Sequence, residues 1–157
     1  IGEILAQHGL TVADLTLEIT ESVVMDSNPD TLTTINEVHA MGICLAMDDF
    51  GTGYSSLSYL RRIPIQELKL DRSFVHDLEH DTTSQALSEA VIRIGESLKL
   101  RVVAEGVETA AQQRVLQQQG YQVAQGYLIS RPLLAEAFGP WLQSRRLALT
   151  EGDTVPG

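Results

Sequence analysis

Short apolar runs alternate along the chain with longer stretches of helical period, and Gly, Pro or Asn stands between them. The runs predict strands at residues 15–20, 43–47, 65–70, 101–105 and 121–125, and the longer stretches predict helices at 29–41, 55–62, 82–98 and 109–119. Asn28 is placed to cap the first of these helices, and Gly42 and Gly120 to end the first and last. Ala86, Ala90, Val91, Ile94 and Leu98 recur on one side of the 82–98 segment, which predicts a helix laid on a sheet. Phe138 and Trp141 are expected to pack a final helix, the Gln run 117–119 to be a solvated helix end, and the polar segment 150–157 to be a flexible tail after a domain at 1–149. Strands that alternate with helices imply right-handed parallel crossovers, with the functional loops at the strands' C-terminal ends. Five such units fit an open doubly wound sheet or most of a (β/α)8 barrel, which takes about 250 residues. The pattern leaves both α/β architectures open.

Composition narrows the function. Of 157 residues, 43% are hydrophobic, enough for a core and too many for a disordered chain. Eleven Lys and Arg against 21 Asp and Glu give a net charge of −10, which opposes binding to polymeric nucleic acid or an anionic bilayer. Cys44 is the single cysteine, so an intramolecular disulfide is excluded; in the run Ile43-Cys44-Leu45-Ala46-Met47 it reads as a small buried thiol in a reducing, cytoplasmic setting. No apolar run approaches the roughly 18 residues of a membrane span, and the N-terminus has no signal-peptide pattern. The chain starts in a helical pattern without Met, which is expected of a piece of a longer protein.

Acidic residues gather at the predicted strand ends. Glu18 and Glu21 lie in Leu-Glu-Ile-Thr-Glu-Ser, Asp48 and Asp49 follow Ala46-Met47, Asp71 follows Leu68-Lys69-Leu70, and Glu105 and Glu108 lie in Ala-Glu-Gly-Val-Glu-Thr. All belong to one rim of a parallel sheet. So many carboxylates repel one another unless a positive group sits among them, and hard oxygen donors without a Cys or His cluster suit Mg²⁺ or Mn²⁺. Neighbouring Asp48 and Asp49 ordinarily point to opposite faces, so sharing one centre requires a sharp turn. Glu18, buried in its strand, needs compensation either as a ligand or in an ion pair. Lys69 points away from Leu68 and Leu70, where it serves a structural ion pair or steadies the charge of an anionic ester. Asp49-Phe50-Gly51-Thr52-Gly53-Tyr54-Ser55-Ser56 is a glycine-containing loop before a helix, and it lacks the lysine and spacing of a phosphate-binding loop. His8, His39, His76 and His80 read as structural or solvated.

With those motifs assembled, the sequence closely resembles the EAL family, bacterial phosphodiesterases specific for cyclic di-GMP. The resemblance is carried by Leu17-Glu18-Ile19-Thr20-Glu21-Ser22, the segment from Asp48 to Ser56, Leu68-Lys69-Leu70-Asp71-Arg72-Ser73-Phe74-Val75, Val103-Ala104-Glu105-Gly106-Val107-Glu108-Thr109, and the segment from Gln125 to Leu133. It implies a modified (β/α)8 barrel, present here as its last five βα units. It also implies two-metal hydrolysis of cyclic di-GMP to linear pGpG, with Mg²⁺ or Mn²⁺. Glu18, Asp48, Asp49 and Glu105 are then metal ligands, and Lys69, Glu105 and Gln125 catalytic or water-holding residues. Glu21, Asp71 and Glu108 support the site, Glu21 as anchor of the loop after Asp49. Phe50, Gly51, Thr52, Gly53, Tyr54 and Ser55 form a loop that in this family also serves a homodimer. A sensor or GGDEF domain is an expected neighbour. The name-giving Glu-Ala-Leu motif and an asparagine ligand, which precede this region in the family, do not occur in the chain, so the chain by itself is expected to be inactive. The alternative reading is a catalytically inactive relative that senses cyclic di-GMP or docks a partner.

Overall fold

The computed structural model describes residues 1–25, 28–52 and 60–152. Five strands, β1 (Thr16–Thr20), β2 (Cys44–Phe50), β3 (Glu67–Leu70), β4 (Arg101–Ala104) and β5 (Val123–Ala124), form one parallel sheet in the order β1-β2-β3-β4-β5. That order decides between the two architectures. A doubly wound sheet reverses its strand order and takes helices on both faces, whereas uniformly right-handed crossovers between successive neighbours keep the helices on one side, as in a barrel wall.

The helices are α1 (Gly2–Gln7), α2 (Glu21–Met25), α3 (Pro29–Ala40), α4 (Arg72–His76), α5 (Thr82–Leu98), α6 (Ala110–Gln119) and α7 (Ala135–Gly152). Alternation along each strand sorts the sheet into two faces. Leu45, Met47, Leu68, Leu70, Val102 and Ala104 join Val75, Leu78, Val91, Ile92 and Leu116 of the helical layer in one core cluster. Glu18, Asp48 and Lys69 alternate with these residues onto the opposite face. There Glu18, Glu67, Lys69 and Arg101 line a cleft of about 410 Å³.

Several local expectations are corrected. The second strand does not stop at Met47 but runs through both aspartates to Phe50, because a bulge absorbs them. The α5 face in the core is Ser84, Ser88, Val91, Ile92 and Gly95, with Ala86 and Ala90 exposed. Small residues there let the helix lie close on β4: a Cβ built on Gly95 would stand 2.1 Å from Val102 Cγ2. The buried Ser88 hydroxyl donates to Gln119 Oε1 at 2.7 Å, so the end of the Gln run is tied down rather than solvated. Tyr121 Oη donates to the Ser88 carbonyl at 2.9 Å, and burial pushes this phenol up to about 12 although the Ser88 hydroxyl, 3.2 Å from Oη, works the other way.

Cys44 is half-buried on the cleft side of the sheet rather than in the core. Phe138 is exposed, in ring contact with Trp141 at 5.8 Å. Helix α4 was not expected from periodicity. Its five residues are too few to show a period, and its signal is the Asp71 cap, which accepts from Ser73 N at 3.0 Å. Helix α7 takes in Thr150–Gly152 of the segment expected as a tail, and residues 153–157 lie outside the described residues. The helix expected at 55–62 falls outside them too, except at 60–62. Among the described residues no helix is long and apolar enough to cross a membrane.

Asp81 caps α5 by accepting from Ser84 N at 2.8 Å and Thr83 N at 3.2 Å. The Ser84 hydroxyl and amide, with the Thr83 amide, hold its carboxyl below the usual value of 3.8. Stability from a depressed carboxylate is present above the unfolded pKa and is lost as pH falls through the folded one. Asp81→Ala is therefore expected to lower the melting midpoint at pH 7, with the gap to the parent protein narrowing as pH falls below 3.8. Melts across that range check it; a gap independent of pH would contradict the ionised cap.

Candidate active site

The site is built at the C-terminal ends of β1 to β5, where a parallel barrel wall presents its loops. Lys69 is the residue around which it closes. Its side chain is buried on the cleft face of β3, 5% exposed, and Nζ lies 2.6 Å from Glu18 Oε1, 2.7 Å from Glu105 Oε1 and 3.2 Å from Asp48 Oδ1. These carboxylates come from β1, β2 and the end of β4, so one ammonium joins three strands. Burial opposes the lysine's charge, but hydrogen bonds to Glu105 and Glu18, with the charge of Glu105 and the Asp48 contact, outweigh it and hold its pKa above the ordinary lysine value. The side chain of Glu18 is 49% exposed, not buried as its apolar strand neighbours suggested.

Asp48 and Asp49 reach one centre through a backbone feature. Met47 pairs with Leu68 and Phe50 with Leu70, so three steps on β2 span two on β3, a bulge opposite Lys69. Asp49 sits in it with φ of +55°, a left-handed conformation that is uncommon outside glycine. The reversal brings one carboxylate oxygen each of Asp48, Asp49 and Glu105 within 4.8 Å of one another. Burial pushes Asp49 up, with the charges of Asp48 and Asp71 adding and Lys69 opposing. Glu105 is likewise pushed up by burial, partly offset by its bond and charge with Lys69 and reinforced by Asp48 and Glu18. The cluster thus holds more negative charge than one ammonium compensates.

Divalent cations fit this donor set. Asp48 Oδ1 is within ion-pair range of Lys69 but off hydrogen-bond geometry, and among the described residues it is the buried side-chain oxygen left without a hydrogen bond. A buried anionic oxygen that accepts no well-formed hydrogen bond and lies beside two further carboxylates is what a hard cation ligates.

The remaining expected residues surround this centre. The Glu21 side chain is buried and accepts from Gly51 N at 3.2 Å, which fixes the start of the loop after Asp49. A Cβ on Gly51, whose φ is +100°, would strike Phe74 at 2.8 Å. Asp71 is held below the ordinary carboxylate value: burial raises it, and bonds from Ser73 and the Arg72 amide overcome that. A cleft of about 470 Å³ runs from Asp49 and Glu105 past Asp71 and Gln125 to Arg72, Glu108 and Tyr127. The last of these was not singled out from the sequence. Gln125 is placed by its backbone, donating to the Ala104 carbonyl at 2.8 Å and accepting from Val107 N at 3.0 Å. Phe50 is buried, Gly51 and Thr52 follow it at the rim, and Gly53, Tyr54 and Ser55 lie outside the described residues.

A one-sided parallel α/β wall with a lysine–carboxylate centre at its C-terminal rim defines the class, and comparison supplies the family. The EAL domain matches residues 1–132, and the chain belongs to that family. It is 46% identical over 132 residues to the bifunctional diguanylate cyclase/cyclic di-GMP phosphodiesterase MucR of Pseudomonas aeruginosa, covering 84% of this chain and 19% of MucR. To the cyclic di-GMP phosphodiesterase NbdA of the same organism it is 42% identical over 142 residues, 90% of this chain and 18% of NbdA. The chain therefore spans about a fifth of these relatives. The solved PaMucR phosphodiesterase in its c-di-GMP complex superposes with a TM-score of 0.81 at 45% identity, covering 87% of this chain and 55% of that one. The EAL domain of Mycobacterium smegmatis DcpA gives 0.83 at 40%, covering 91% and 64%. Klebsiella pneumoniae BlrP1, at 38% identity and a TM-score of 0.76 over 83% of this chain and 33% of that one, was solved as a manganese/cy-diGMP complex.

A cation that binds only the folded protein stabilises it by about 2.7 kcal/mol at a hundred times its Kd. Mn²⁺ is expected to raise the melting midpoint over that in chelator, and Asp48→Asn to remove most of the rise. Equal midpoints with Mn²⁺ and with chelator would refute the cation site.

Proposed function

We propose that this chain is the C-terminal part of a barrel that hydrolyses cyclic di-GMP to linear pGpG in bacterial signalling. The observation that carries the reading is the Lys69 ammonium held by Glu18, Asp48 and Glu105 beside the carboxylate cluster of Asp48, Asp49 and Glu105. The likeness to proteins named as cyclic di-GMP phosphodiesterases supports it.

Hydrolysis adds one water across a phosphodiester: the water oxygen bonds to phosphorus, the P–O3′ bond breaks, and the macrocycle opens. Two Mg²⁺ or Mn²⁺ ions, when bound, would activate the water and offset charge on the phosphoryl oxygens. Asp48, Asp49 and Glu105, whose carboxylates are gathered, would hold them together with Glu18. Lys69 is fixed before substrate arrives, so its positive charge meets the developing negative charge without reorganisation. Gln125 offers an amide at the cleft wall to hold water. Glu21 steadies the loop that begins at Gly51, and Asp71 and Glu108 shape the far side of the cleft. We further propose that the loop after Asp49 takes part in a homodimer and that the full protein carries a sensor or GGDEF domain; MucR is named as bifunctional. An inactive sensor would require a degraded site, whereas here Lys69 is met by Glu18, Asp48 and Glu105, and Asp48, Asp49 and Glu105 gather their carboxylates.

Removing one preorganised charge-stabilising donor costs roughly 10²–10³ in kcat. In the intact protein, Lys69→Met and Glu105→Gln are each expected to lose at least that much pGpG formation. Hydrolysis by the parent with near-full activity in both variants would reject the assignment, and binding without hydrolysis by the parent would favour the sensor.

A further inference from the structure

Gln112 carries more hydrogen bonds than its place in a helix requires. It stands at the third position of α6, where Thr109 and Gln112 form a capping box: Thr109 Oγ1 accepts from Gln112 N, and Gln112 Oε1 accepts from Thr109 N, both at 3.0 Å. A capping box ends there, and glutamate serves it as well as glutamine. In this protein Oε1 also accepts from Glu108 N at 2.8 Å, while Nε2 donates to the His76 carbonyl, the last residue of α4, at 3.2 Å. The side chain is 4% exposed and its bonds are made to three separate places. The amide both accepts from the loop and donates to α4, which an ionised glutamate at this position could not do.

Those two attachments flank the site. Helix α4 begins two residues after Leu70, directly beyond Lys69, and the loop held by Oε1 begins with Glu105. The Lys69–Glu105 contact of 2.7 Å joins β3, which leads into α4, to the start of the loop whose far end Gln112 ties to α4. The contact surface is tight: Gly106, at φ +69°, lies against Arg72, where a Cβ would come within 2.5 Å of Arg72 Cβ. We propose that Gln112 is a positioning residue, which sets the separation of Lys69 from Glu105 by locking the loop after β4 to the end of α4. The inference rests on the phosphodiesterase reading for its catalytic consequence, and on the carboxylate centre alone for its effect on cation binding.

The test compares Q112M, which removes every side-chain bond, Q112E, which keeps the bonds from Glu108 N and Thr109 N but cannot donate to His76, and D81A, a cap lesion on the neighbouring helix α5. Mn²⁺ affinity by titration, kcat and KM for cyclic di-GMP, and melting midpoints are measured on the intact protein. Losing a group that orients ligands costs roughly ten- to hundredfold in metal affinity or activity. Q112M is expected to lose that much in Mn²⁺ affinity and kcat with KM held within about threefold. Q112E is expected to fall between it and the parent, and D81A to melt earlier with both parameters intact. Should Q112M not fold, Q112E decides. Parental Mn²⁺ affinity and kcat in the folded variants, or an equal loss in D81A, would overturn the proposal. A parent that binds Mn²⁺ without hydrolysing cyclic di-GMP would overturn the phosphodiesterase reading, and the Mn²⁺ titrations would still decide the role of Gln112.

Discussion

The structure turns on one buried ammonium. Burying a charge is costly unless opposite charges and hydrogen bonds meet it, and Lys69 is met by carboxylates from β1, β2 and the end of β4. Each partner sits at a different distance along the sequence, so the cluster exists only when the strands are in register. Glu18 pairs across from Ala46, and Lys69 from Val103, placing the charged side chains on the face away from the apolar cluster. A slip of one residue in β3 would turn Lys69 into the helical layer and Leu68 or Leu70 into the cleft. Hydrophobic patterning and the ion cluster therefore specify the same register, and the site is a consequence of correct sheet assembly.

The bulge at Asp49 supplies what a regular strand cannot. Alternation separates neighbours onto opposite faces, and two adjacent aspartates could not share a cation while β2 remained regular. The extra residue opposite Lys69, taken up with Asp49 at φ +55°, bends the strand end inward. A non-glycine residue there holds a sparsely populated conformation that its surroundings must enforce. The buried Glu21 does part of this by holding Gly51 N, and the Phe74 ring closes the space behind Gly51. The strain thus sits at the residue whose carboxylate the bend delivers.

Much of this was legible in the sequence because its causes are local. Strand cores, the cap at Asn28, and the terminator at Gly120 follow from residue type and period, and acidic residues at strand ends marked the rim. Barrel against doubly wound sheet was not legible from the pattern, since strand order is a long-range property. Helix α5 misled for a different reason: Ser88 and Gly95 face the core because small side chains allow close packing, while Ala86 and Ala90 are exposed. Glu18 looked buried because its strand neighbours are apolar, but in this chain its face of the sheet is open. Gln112 is not marked by the periodicity, which starts the helix at Thr109, and its reach to His76 depends on how α4 packs.

The charge balance links this geometry to the overall acidity of the chain. Glu18, Asp48, Asp49 and Glu105 face a single ammonium, and Asp49 and Glu105 are pushed up because burial and the remaining carboxylates oppose their ionisation. An anionic cyclic dinucleotide approaching this rim would meet like charge. Cations held in the carboxylate cluster would reverse the local sign while leaving the rest of the acidic surface unchanged, and so would confine attraction to the cleft. On the proposed reading, the net charge of −10 and a phosphate-containing substrate are compatible. On that reading a polyanion that must also lie along the remaining surface would be repelled, while a small dinucleotide would reach only the cation-bearing rim. On that reading the same acidity would also discriminate by substrate size, and Lys69 holds Glu18, Asp48 and Glu105 together.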